Sequence, residues 1–98
     1  DIMDIYDVIV EPLVTEKSER MKWDEGKYTF EVHMKANKIE IKRAVSQIYG
    51  VDVQKVNTLI MPAKFSGLPG RRRSIRDNVW KKAIVTLAPG QRIVELEA

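Results

Sequence analysis

Residues 37–61 read NKIEIKRAVSQIYGVDVQKVNTLIM, and the fold class turns on them. Asn37 is a good helix N-cap, and Glu40, three residues on, is placed to bond back to it. Ile41, Ala44, Val45 and Ile48 recur at i, i+3, i+4 and i+7, which lines one side of a helix with apolar groups. Lys38, Lys42 and Gln47 fall on other sides. Gly50 supplies the left-handed residue that ends such a helix. From Val51 the pattern changes to a long β-rich run ending at Met61. A striped helix followed directly by a strand is expected to pack that stripe on a sheet.

Working outward, residues 27–33 alternate cleanly, with Tyr28, Phe30 and Val32 on one face and Thr29, Glu31 and His33 on the other, the pattern of a half-buried strand. Residues 5–10 (IYDVIV) read as a short strand ended by Pro12. Residues 15–22 read as a short helix that Thr15 caps, with Glu16 and Glu19 in its first turns, where the dipole favours acids. Asp24-Glu25-Gly26 reads as a turn. Residues 79–87 form a second long β-rich run, Ala88-Pro89-Gly90 turns the chain, and residues 91–96 read as a short terminal strand. The expected order is β-α-β-α-β-β. The expected class is α+β, a small antiparallel sheet of about four strands with two packed helices. The two long runs should pair as an antiparallel hairpin. There is no internal repeat and no low-complexity segment.

Ninety-eight residues suit one domain, 1–98. With 44% hydrophobic and 32% charged residues, the chain is globular in composition. No cysteine is present, so disulfides and thiolate chemistry are excluded. No apolar run reaches membrane-spanning length and no signal-peptide pattern opens the sequence, so a cytoplasmic protein is expected. Asp1 and Ile2 precede Met3 and are given no role.

The charge is segregated. Residues 64–82, KFSGLPGRRRSIRDNVWKK, hold Lys64, Arg71, Arg72, Arg73, Arg76, Lys81 and Lys82 against the single acid Asp77, a local +6. The chain as a whole is +3, so everything else sums to −3. A connection of about 17 residues is long for a compact domain, and connections of that length are usually functional or disordered. Its apolar members Phe65, Leu68, Ile75 and Val79 are too scattered for a core. Residues 62–80 therefore read as an extended arm suited to a phosphate backbone, where arginines fork onto phosphates and stack on bases. Trp80, beside Lys81 and Lys82, offers a flat face for stacking. The competing reading is a solvated loop with Trp80 tucked into the sheet.

Other residues say less by themselves. Lys35, Lys38 and Lys42 surround the start of the capped helix; they read first as an ordinary charged face and second as an extension of the basic surface. The amide-rich helix start at Asn37 is a further candidate for phosphate. Glu16 reads as a helix-dipole acid. His33 is the only histidine and is expected at the surface; with no cysteine, no transition-metal site is expected. No catalytic triad, P-loop or dinucleotide fingerprint is present. Asp24 and Glu25 lie where they would stay solvated. The chain reads as a non-enzyme without cofactor.

Four segments in order carry a family resemblance: Pro12-Leu13-Val14-Thr15-Glu16-Lys17-Ser18, then residues 36–45 (ANKIEIKRAV), Val56-Asn57-Thr58-Leu59, and residues 80–87 (WKKAIVTL). Together, and spanning about residues 6–94, they resemble the large-subunit ribosomal protein L twenty-three family, in its bacterial or organellar form. The resemblance implies a small α/β domain with a long hairpin extension. It also implies a structural protein of the large ribosomal subunit that binds large-subunit ribosomal RNA at the rim of the polypeptide exit tunnel, beside the rim protein L twenty-nine. On that resemblance, residues 64–82 are the arm that reaches into the tunnel wall, with Phe65, Ser66, Gly67, Leu68, Pro69 and Gly70 near its tip. Thr15-Glu16-Lys17 is then the docking motif, whose acid receives the chaperone trigger factor, on a rim shared with signal recognition particle and the translocon. Neither a small-molecule substrate nor a homo-oligomer is implied. The first half of the arm departs from the Lys/Gly-rich start of many bacterial relatives: residues 62–70 hold one cation, Lys64, and Phe65 and Leu68 are placed to pack on bases or a neighbouring protein.

Two rivals differ in what they require. An RNA-binding module of the four-stranded-sheet kind needs exposed aromatics in the pattern Lys/Arg-Gly-Phe/Tyr-Gly/Ala-Phe, which Lys27-Tyr28-Thr29-Phe30 matches poorly. A small acylphosphatase-like hydrolase needs a phosphate-cradling loop with an arginine near its start, and Glu11-Pro12-Leu13-Val14 has neither glycine nor arginine.

Overall fold

A computed structural model describes residues 4–13, 16–62, 64–65, 75–76 and 79–96. The elements in chain order are α1 (Ile5–Val8), β1 (Ile9–Pro12), α2 (Glu16–Glu25), β2 (Lys27–Val32), α3 (Lys38–Tyr49), β3 (Val53–Met61), β4 (Lys64–Phe65), β5 (Ile75–Arg76) and β6 (Trp80–Leu87), followed by a 3-10 turn, Val94–Leu96. Four strands form one antiparallel sheet in the order β1-β2-β6-β3. With helices packed on it, this is the expected α+β class.

Helix α3 forms as its sequence dictates. The Asn37 side chain accepts the Glu40 N–H at 2.8 Å, and the Glu40 carboxylate accepts the Asn37 N–H at 2.9 Å, a complete capping box. At the other end Gly50 adopts φ 67°, and its N–H closes on the Ser46 carbonyl at 2.9 Å. The stripe Ile41, Ala44 and Val45 is fully buried, with Ile48 and Tyr49 packed at its margin. It meets Tyr28, Phe30 and Val32 from β2, Ala83, Val85 and Leu87 from β6, and Val53 and Val56 from β3. The register sets Tyr28 opposite Val85 and Phe30 opposite Ala83, so these groups share one face of the sheet.

Four expectations are corrected. Residues 5–10 do not form one strand: Ile5–Val8 is a single helical turn, and the strand begins at Ile9. Asp4 accepts the Tyr6 N–H on its side chain at 2.9 Å, a local cap that outcompetes the β-branched propensity of the next residues. Asp24 and Glu25 belong to the last turn of α2, and Gly26 alone, at φ 66°, breaks the helix. Residues 91–96 form no strand but cross the end of the sheet and finish in the 3-10 turn. The physical reason is occupancy: β6 already has β2 on one side and β3 on the other, so the chain leaving it has no neighbouring edge to join. Ile93 instead drops into the core, and its N–H donates to the Tyr28 hydroxyl at 3.1 Å. Thr29 was expected on the polar face of its strand, yet it is 6% exposed because α2 packs against β2 there.

Candidate nucleic-acid interface

The arm springs from two neighbouring strands. The β3–β6 ladder runs to the pair Met61↔Trp80, and beyond it β4 and β5 pair antiparallel with Lys64↔Arg76 and Phe65↔Ile75 in register. The connection is thus a continuation of the central hairpin. Lys64 and Arg76 are direct cross-strand partners. Like charges in such positions disfavour the pairing unless an anion offsets them. Arg71, Arg72 and Arg73, and the proposed tip residues 66–70, lie outside the described residues, as do the side chains of Lys64, Phe65 and Arg76.

At the base of the arm the strand period separates residues that are adjacent in sequence. Trp80 and Lys82 point to one face of β6 and Lys81 to the other. Trp80 is 8% exposed, so its ring is part of the folded sheet and offers little face for stacking. Lys82 stands in register with Glu31 of β2 and Leu59 of β3. Lys81 stands in register with Val32 and donates from Nζ to the Ala36 carbonyl at 2.8 Å. That bond ties β6 to the loop that enters α3. It gathers Lys81 with the flanking Lys35 and Lys38, both exposed; Lys42 is also exposed, one turn further along α3. The second cluster suggested by the sequence is therefore continuous with the base of the arm. Asn37 sits among these lysines, but its side-chain oxygen is committed to the cap, and the Glu40 carboxylate occupies the helix start. His33 is exposed, and its Nδ1 accepts the Lys35 N–H at 3.1 Å, a contact that shapes this loop.

The segment around Glu16 lies elsewhere. Glu16 opens α2, Thr15 lies outside the described residues, and so do the side chains of Glu16 and Lys17. The helix start is fixed by Ser18, which is buried and donates from its hydroxyl to the Leu13 carbonyl at 3.0 Å. Leu13 in turn is held by its N–H to the Thr29 carbonyl at 2.9 Å. Further along α2, Lys22 donates to Glu19 at 2.9 Å and to the Leu96 carbonyl at 2.6 Å, clipping the helix to the C-terminal turn.

Sequence reasoning passed over Trp23. This residue is 58% exposed on α2, with the Arg92 guanidinium 5.6 Å from its ring centre, within cation–π range. The two residues are far apart in sequence, and no local pattern links them. Among the described residues no group of three or more His, Cys, Asp or Glu side chains is placed to hold a metal, and no helix is long and apolar enough to cross a membrane.

The chain matches the family model described as Ribosomal protein L23 over residues 7–95. Among curated relatives, the large ribosomal subunit protein uL23 of Herpetosiphon aurantiacus is 48% identical over 93 residues, covering 93% of this chain and 94% of the relative. The protein of the same name from Aquifex aeolicus is 45% identical over 93 residues, covering 94% and 90%. That from Fusobacterium nucleatum is 48% identical over 88 residues, covering 88% of each. The match spans the sheet, α3 and both ends of the basic arm, and on this evidence the chain belongs to the ribosomal protein L23 family.

Proposed function

We propose that this protein is a structural constituent of the large ribosomal subunit in the bacterial cytoplasm and binds large-subunit ribosomal RNA. The observation that carries the reading is the segregation of charge onto an arm rooted in the central hairpin, with Lys64 and Arg76 set opposite each other. Such an arrangement is stabilised by phosphate and unfavourable without it. In this reading Lys64, Arg71, Arg72, Arg73 and Arg76 line the arm, Lys82 marks its base, and Lys35, Lys38, Lys42 and Lys81 extend the surface toward α3. Asn37 and Trp80 act by shaping that surface. Residues 65–70 form the tip that faces the exit tunnel. Thr15, Glu16 and Lys17 form the docking point for trigger factor and, on the same rim beside L twenty-nine, for signal recognition particle and the translocon. An acid on an RNA-rich surface is a rare negative anchor for a basic partner.

The test is binding to large-subunit ribosomal RNA across a salt series. The log–log slope should be roughly −4 to −6 and should flatten by about one unit for each phosphate-contacting arginine lost when Arg71, Arg72, Arg73 and Arg76 are changed to Ala. Glu16→Ala should leave RNA binding unchanged and weaken trigger factor on assembled subunits. Weak binding that ignores the four arginines would remove the RNA reading.

A further inference from the structure

At the end of the sheet farthest from the arm, a tryptophan stands in the open. β6 leaves the arm at Trp80 and ends at Leu87, so its eight residues put roughly 25 Å between the two ends. Beyond Leu87 the chain turns at Gly90, φ 84°, and Gln91 and Arg92 come to lie beside the last turn of α2. There Trp23 is 58% exposed, although the Arg92 guanidinium stands 5.6 Å and the Lys22 Nζ 5.9 Å from its ring centre. A cavity of about 400 Å³ opens between these groups.

The lining of the cavity states what it can hold. Apart from Trp23 and the buried Tyr28, its walls are Lys22, Gln91, Arg92 and the glycines Gly26 and Gly90. Among the described residues, no Val, Leu, Ile or Met lines it, and neither does a carboxylate. A Cβ on either glycine would meet nothing within 4 Å, so the space beside the ring is open. The nearby charges are distributed in the same sense. Lys22 is taken up by Glu19 and the Leu96 carbonyl, and Glu25 by Lys27 at 3.1 Å. Arg92 is exposed, and a guanidinium carries five N–H donors, more than a single contact uses. Gln91 accepts the Asp52 N–H on its side-chain oxygen at 3.3 Å, so what it presents to a ligand is its NH2 donor.

We infer that Trp23 and Arg92 form a nucleotide site, in which an unpaired base of RNA stacks on the Trp23 ring while its phosphate is held by Arg92. An open aromatic face with a cation beside it is the combination by which unpaired nucleotides are bound: the ring takes the base and the cation the backbone. The walls argue against a protein anchor, which is seated in an apolar pocket, whereas cations, an amide and glycines surround this ring. An acidic peptide would use Arg92 and leave the ring without a stacking partner. The inference deepens the RNA reading and rests on it: the arm holds phosphates at one end of the sheet, and Trp23 takes a base at the other.

The test uses the full chain and a short oligoadenylate as probe, read by tryptophan fluorescence. The chain has two tryptophans, and Trp80 is buried, so a stacked base is reported chiefly by Trp23. Oligoadenylate should quench the emission saturably. An abasic strand of the same length, which keeps the phosphates, should not, and neither should a glutamate-rich peptide. Changing Arg71, Arg72, Arg73 and Arg76 to Ala should leave the quenching in place. In that background Trp23→Ala should weaken oligoadenylate binding by about tenfold, and Trp23→Phe should retain most of it. Arg92→Ala should also weaken binding and flatten its salt slope by about one unit. Should a variant unfold, the contrast between oligoadenylate and the abasic strand on the unaltered chain still decides. The inference is overturned if oligoadenylate does not quench, if the abasic strand or the acidic peptide quenches equally, or if Trp23→Ala leaves the affinity unchanged. Quenching that persists while ribosomal RNA binding ignores the four arginines would count against the arm alone. Lost quenching with the arm's salt slope intact would count against this site alone.

Discussion

Asn37 shows how much a single side chain can declare in advance. Its bond to the Glu40 amide and the return bond from the Glu40 carboxylate are local and follow from residue spacing. Asn37→Ala should cost about 1 kcal/mol, lowering Tm by about 4–8 °C, which thermal unfolding of the free chain can check. Tyr28 shows the opposite. Strand alternation placed it in the core, but nothing local showed that its hydroxyl receives the Ile93 N–H, because the two residues meet only after the sheet has closed. Tyr28→Phe leaves that buried amide without its partner and should cost about 1–3 kcal/mol, measurable by denaturant unfolding. Tyr49 stacks on Phe30 at 5.9 Å between ring centres, and burial, with a smaller contribution from the Glu95 charge, raises its phenol above the ordinary value of 10.0. The folded state therefore holds this proton more tightly than the unfolded chain. The stability it contributes is complete below the ordinary phenol range and is lost as pH rises through the folded value. Alkaline titration of phenolate absorbance should show Tyr49 ionising late, and Glu95→Gln should bring it partway back.

At the scale of elements, α3, β2, β3 and β6 were legible because each carries a regular period and a recognisable stop. The first strand was misread because Ile5, Val8 and Ile9 have β propensity and only Asp4, a single capping residue, argues for the helical turn. The terminal segment was misread because propensity says nothing about which sheet edges are free. At the interface, the cations of residues 64–82 stood out as a composition, whereas the splitting of Lys81 from Lys82 follows from strand alternation and the anchor on Ala36 becomes visible only in three dimensions. The core cluster of the described residues is drawn chiefly from β2, α3, β3 and β6. Replacing residues 66–74 by Asn-Gly, which suits a tight hairpin turn, should leave a folded sheet with near-native Tm and circular dichroism, while binding to ribosomal RNA falls and its salt dependence shallows. Loss of the fold in that variant would show that the arm supports the sheet. By contrast Ile41→Ala, in the α3 stripe, should cost about 2–5 kcal/mol.

On the scale of the whole molecule, a body carrying −3 holds an arm carrying +6, although the sum is only +3. Such a distribution favours one orientation on a polyanion, which neither the modest total nor the pI of 9.3 conveys. The connectivity has a mechanical side as well. The arm's two ends enter β3 and β6, and among the described residues β3 is joined to the rest of the sheet only through β6. Tension applied to the arm along the strands would draw β3 and β6 together as one unit. The resistance would come from the six paired positions of β2 and β6, Lys27↔Thr86 through Val32↔Lys81, strained in shear all at once rather than peeled one at a time. Of the ways to pull on a four-stranded sheet, an arm rooted there selects one in which the hydrogen bonds must yield together.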